Sequence, residues 1–105
     1  MSGQMKSSFL TESLAVLLSA DVDPSALERS SRHLVDWLGC AFAGRAETTG
    51  EIISSVEFPG ESGLAFRWGA MGNNLEMDDV DKRAILHPGP AIIPAALALC
   101  SQHPE

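Results

Sequence analysis

The sequence predicts an all-α protein, and three observations carry that prediction. Phe9, Leu10, Leu14, Leu17 and Leu18 fall on one stripe at helical spacing. Asp23 and Pro24 open a longer amphipathic run that closes at Gly44. The run "AIIPAALALC", residues 91–100, is apolar on nearly every side. Together with a weaker segment these give about four helices with an irregular middle, in a single helical domain over residues 1–105.

The first helix is expected from about Ser8 to Ala20. In the second, Asp23 is the N-cap and Pro24 the first helical residue, because proline has no N–H to lose there and its fixed φ suits the turn. Its buried face is expected to be Leu27, Leu34, Val35, Leu38, Ala41 and Phe42, with Gly44 as the stop. His33 sits mid-helix beside Arg32 on a mostly polar face and is read as solvated. A third helix runs from Ala46 to about Val56 and ends at Phe58, Pro59 and Gly60.

The following "ESGLAFRWGAMGNN" mixes glycine with large apolar residues and reads as a short strand or an irregular connection. Phe66 and Trp68 there are core or interface fillers. The last helix starts at Ile92 or Ile93, which keeps Pro94 in its first turn. A helix apolar on nearly all sides expects cover on several faces, more than a few short helices provide, so it reads as an inner element of something larger.

A chain of 105 residues buries roughly 60–70% of its unfolded surface, which leaves little volume for a closed active site without a partner. The net charge of −7 and only seven Lys and Arg argue against nucleic acid as a ligand. No segment is apolar enough to span a bilayer, and Thr11 and Glu12 interrupt the N-terminal apolar run, which therefore reads as mature and cytoplasmic. Cys40 and Cys100 are too few for a disulfide framework or an iron–sulfur cluster and wrongly spaced for zinc, so two buried thiols are expected.

Chemistry concentrates in "NNLEMDDVDKRAILHPGP", residues 73–90. Glu76, Asp78, Asp79 and Asp81 repel one another, so a buried member could hold a proton near neutrality; a solvated acidic turn is the plainer alternative. A calcium loop needs a central glycine that "EMDDVDKRAILH" lacks, and no metal or cofactor is expected. Pro88 biases His87 toward an extended backbone, holding the imidazole in a stiff turn. Past it a helix N-terminus favours an anion such as a substrate carboxylate, with Lys82 and Arg83 close by in sequence. These groups suit proton abstraction beside a carboxylate and loss of water. The cations that such chemistry needs to stabilise developing charge are scarce in this chain.

The segment "GAMGNNLEMDDVDKRAILHPGPAIIPAALAL", with the earlier "LVDWLGCAFAG", resembles the N-terminal helical part of the MmgE/PrpD family, which includes 2-methylcitrate dehydratase and cis-aconitate decarboxylase. The resemblance covers most of residues 24–100. It implies a large helical domain followed by a smaller α+β domain, usually in a homodimer, with a cofactor-free site in the cleft between them. Carried over by motif, the site positions are Glu76, Val80 and His87; Glu76 and His87 are the catalytic candidates, and Val80, with Asp79, Lys82 and Arg83 beside it in the sequence, the substrate-binding ones. Glu76 stands where the family more often has aspartate, and Val80 where it often has threonine, which removes a hydroxyl.

Family members are several times longer, and the lysines and further histidine that complete their site lie in regions absent here. The connection between "EIISSVEF" and "GAMGNN" is also shortened. The expectation is a small subunit or N-terminal piece of a carbon–oxygen lyase acting on a small di- or tricarboxylate, inactive until a larger chain completes it. The alternative is a non-catalytic helical remnant acting through self-association, as a homo-oligomer, or through partner binding.

Overall fold

The computed structural model describes residues 2–104, with side chains from residue 9 onward. It is all-helical: α1 (Ser2–Leu18), α2 (Pro24–Arg45), α3 (Thr48–Ser55), α4 (Gly60–Asn73) and α5 (Pro88–Gln102). Among the described residues there is no strand, only an isolated antiparallel bridge between Asp81 and Leu86 in the loop joining α4 to α5.

The start of α2 follows the sequence closely. The Asp23 carboxylate accepts from the Ser25 N–H at 2.9 Å and from the Ser25 hydroxyl at 3.0 Å, satisfying a donor that the helix leaves without a partner. The buried face of α2 differs from the expected one. Trp37, Cys40 and Gly44 are buried, whereas Val35 and Phe42 are 69% and 71% exposed and Leu27 is also exposed. The reason lies in α4, which approaches α2 along its small residues. Gly72 lies so close to the Trp37 indole that any Cβ there would collide with it. Leu27, Val35 and Phe42 lie off that line of approach and stay exposed.

The middle of the chain is the helix α4, not a strand or irregular connection, so the described residues hold five helices rather than about four. Its glycines lower helix propensity by about 1 kcal/mol each, which is why the segment reads poorly in isolation. Their use is tertiary: a Cβ at Gly69 would stand 2.6 Å from the Pro90 carbonyl oxygen of α5. That carbonyl is the one that Pro94, lacking an N–H, cannot bond. Thus α5 begins at Pro88 and carries Pro94 in its interior, fully buried, instead of starting at Ile92 or Ile93.

α5 packs chiefly on α4, and α4 on α2, around Trp37, Cys40, Met71, Pro94 and Ala98. Phe66 is exposed on the α4 surface, where it meets Phe58 with ring centroids 4.9 Å apart. Cys40 is buried as expected, but Cys100 is exposed because it lies on the open side of α5. Among the described residues α1 touches no other helix.

Candidate functional site

The loop from Asn74 to His87 is fixed at both ends. The Asn74 amide donates to the Gly44 carbonyl at the end of α2 at 3.0 Å, and His87 is the N-cap residue of α5. His87 has an extended backbone, φ −103° and ψ 93°, as the following proline requires.

Within this frame the four carboxylates separate. Asp78 turns inward, its side chain 1% exposed, and one oxygen lies 2.6 Å from His87 Nδ1. The Asn73 amide donates to both Asp78 oxygens, at 3.2 and 3.3 Å. An ionised carboxylate only accepts, so this contact places a proton on Nδ1 and leaves Nε2 of the neutral ring as the basic nitrogen.

Asp79 takes the N–H of Gly89 at 2.9 Å and so sits at the N-terminus of α5. The anion favoured there is thus the protein's own carboxylate. Pro88 and Pro90 have no N–H to offer a second one. A side chain at Gly89 would displace Asp79, since its Cβ would fall on the carboxylate.

Asp81 closes a tight turn. It accepts from the Arg83 and Ala84 N–H groups at 2.8 and 3.3 Å and pairs with the Arg83 guanidinium at 3.0 Å. The Arg83 side chain first, then these N–H groups, hold its carboxyl below the usual aspartate range. The turn is locked by the Asp81 N–H to the Leu86 carbonyl, 2.9 Å, and places Ile85 in the left-handed region at φ 52°. Glu76 also has positive φ, 51°, and its side chain is exposed, as are Lys82 and Arg83.

Two concavities flank the start of α5. A groove of about 630 Å³ between α2 and α5 is lined by His33, Leu34, Asp79, Val80, Ile92 and Ile93, among others. A more open hollow of about 590 Å³ on the other side includes His87, Asn73, Phe66 and Ala91. Of the six residues singled out from the sequence, Asp79 and Val80 therefore share the groove, His87 lines the hollow, and Glu76, Lys82 and Arg83 lie on the exposed loop.

Asp78 is the residue that sequence reasoning does not single out, because nothing in the spacing of an aspartate nine residues before a histidine marks them as partners. His33 faces solvent as expected, its side chain 61% exposed, with Nδ1 3.8 Å from Asp79 on the groove wall. Behind both, burial pushes the Cys40 thiol up, aided by the negative charges of Asp36, Asp78 and Asp79. It stays protonated and acts as core. Among the described residues no group of three or more His, Cys, Asp or Glu is placed to hold a metal ion.

Comparison of the chain with protein-family models, curated proteins and solved structures gives no match.

Proposed function

We propose that this chain supplies the acid–base wall of an MmgE/PrpD-type lyase and that a larger chain supplies the opposite wall. The observation that carries the reading is the 2.6 Å contact of His87 Nδ1 with the buried Asp78 carboxylate. It fixes the ring, selects the tautomer and leaves Nε2 as the base beside an open hollow. Such an arrangement suits abstraction of a proton next to a carboxylate with departure of the neighbouring hydroxyl as water, or, with Nε2 protonated, delivery of a proton to the carbanion left as carbon dioxide departs, on a small di- or tricarboxylate.

Glu76 is the companion carboxylate on this reading. Its exposure fits a group that meets substrate only when another chain closes over the loop. Lys82 remains for the substrate's own charge, Arg83 being paired with Asp81.

The test is to isolate the chain from its native cells with whatever larger chain accompanies it, and to supply 2-methylcitrate and cis-aconitate. Dehydration or decarboxylation by the complex, abolished by His87→Ala and absent from the isolated chain, is expected. A complex whose activity is unchanged by His87→Ala refutes the assignment.

A further inference from the structure

Away from the Asn74–His87 loop, another concavity of about 490 Å³ opens between α2, α3 and α4. Arg45 at the end of α2 and Arg67 in α4 both line it, and the rings of Trp37, Trp68 and Phe42 form much of its apolar wall. The chain has seven basic residues and fourteen acidic ones, yet two of the seven line this concavity and none of the fourteen does. Against a net charge of −7 that is a local reversal of sign.

The two guanidiniums are held differently. Arg67 donates from Nη2 to the Val56 carbonyl at 2.9 Å, and its Cζ stands 5.9 Å from the centre of the Phe58 ring. Those contacts fix the side chain and leave most of its five N–H donors over. Its Nε is buried without an acceptor, a rarity in folded proteins that asks for an explanation. Trp37 Nε1 also lacks an acceptor, but it abuts Gly72, so it is not counted toward the concavity. Arg45 has no hydrogen-bond or ion-pair partner among the described residues, whereas Arg29, Arg32 and Arg83 each have one. The Ser54 hydroxyl, also on this wall, donates to the Gly50 carbonyl at 2.8 Å, so the donors left for a ligand are those of the two arginines.

We infer that this concavity binds a small organic anion with a flat aromatic body, a carboxylate carried on one or two fused rings. A guanidinium keeps its charge at any ordinary pH and offers a carboxylate two parallel N–H bonds. The indole and phenyl rings favour a flat aromatic body, which gains ring-on-ring contacts that an aliphatic chain forgoes. Inorganic phosphate would meet the arginines and leave the rings uncovered. The volume lies within the roughly 300–1,000 Å³ of small-molecule sites. The inference does not rest on the lyase reading, because neither His87 nor any other residue of the Asn74–His87 loop lines this concavity.

The test is a titration of the isotope-labelled full chain with 2-naphthoate, followed by the indole N–H resonances and the Arg67 Nε–H resonance. Both tryptophans of the chain line the concavity, so each indole reports on it directly. One saturable curve shared by these signals is expected, half-complete between about 10 µM and 1 mM. The uncharged 2-naphthylmethanol and the ring-less acetate are each expected to bind about tenfold more weakly or worse, and 2-naphthylmethylammonium not measurably. Arg45→Met, at an exposed residue, is expected to weaken 2-naphthoate about fivefold or more, and Arg32→Met to leave it unchanged.

The absence of any saturable shift up to about 5 mM 2-naphthoate overturns the inference without need of a variant. So does binding of the alcohol or the amine as tightly as the carboxylate, which would mark an unselective apolar surface. Binding that Arg45→Met leaves intact, or shifts confined to Val80 and Ile92 in the groove between α2 and α5, overturns it as well.

Discussion

Replacing Asp78 by alanine removes the single acceptor on which two donors converge. A hydrogen bond to a charged group contributes about 1.5–3 kcal/mol. The Asn73 contacts, at 3.2 and 3.3 Å, are long, so the His87 contact at 2.6 Å carries most of the effect. The His87 side chain is 37% exposed, and water replaces part of what it loses. The expected destabilisation is about 2 kcal/mol, or roughly 8–15 °C in melting temperature for a domain of this size.

Asp78→Asn keeps an oxygen for Nδ1–H but turns an NH2 group toward the Asn73 amide, and it is expected to cost about half as much. Combined with His87→Ala, the Asp78→Ala change should show a coupling of about 1–2 kcal/mol. Urea titrations followed by the fluorescence of Trp37 and Trp68 read all five proteins, the wild type included. A cost within about 0.5 kcal/mol of zero for Asp78→Ala, or additive single and double variants, refutes the view that this pair fixes the imidazole.

Gly72→Ala is expected to destabilise by about 1–3 kcal/mol despite alanine's better helix propensity, because its methyl meets the Trp37 indole; a raised urea midpoint would contradict the close packing of α2 on α4. With a thiol reagent near pH 8, Cys100 should react at once and Cys40 only after denaturant is added; two fast equivalents in the native protein would show that Cys40 is not enclosed. Asp23 and Asp81 both have carboxyls held below their usual range in the fold, Asp23 by the Ser25 N–H and hydroxyl, Asp81 by Arg83 and the turn. Their stabilisation is therefore present above the unfolded-state pKa of about 3.9 and lost as pH falls through the lower folded-state values. Acid titration of Asp81→Asn should accordingly show a shallower loss of stability below about pH 4 than the wild type; an unchanged slope refutes the turn's contribution.

Local signals read correctly where the physics is local. The Asp23–Pro24 start, the end of α2 near Gly44 and the extended backbone of His87 each depend on residues adjacent in sequence. What failed depended on partners far along the chain. The leucine side of α2 has the higher apolar content, but α4 docks where Gly72 lets Trp37 approach. The glycines of α4 look like interruptions until the Pro90 carbonyl is brought against Gly69. Pro94 breaks the simplest rule for helices because its partner carbonyl finds room beside a glycine on another helix. The site was legible as a segment and not as a geometry. Its acidic run looked like one cluster of repelling charges, and the fold resolves it into an exposed Glu76, a buried partner for His87, a helix cap and a turn closure.

That resolution changes where a substrate's charge must be met. Of the two cations in the loop, Arg83 is engaged by Asp81, and the helix N-terminus expected to receive an anion is occupied by Asp79. Elsewhere, Arg32 pairs with Glu28, Arg67 donates to the Val56 carbonyl and Arg29 to the Ser25 hydroxyl. A di- or tricarboxylate brought beside His87 would then face Lys82 and a surplus of acid. If His87 is the base, the opposite wall has to be basic, and the complementary chain should be recognisable by lysines and arginines that face this loop. Association with such a chain should weaken steeply with added salt. Measuring its affinity between about 0.05 and 0.5 M salt tests this. An affinity independent of salt would mean that the opposite wall is not basic, and His87 would then lack the charge partner that its proposed role as base requires.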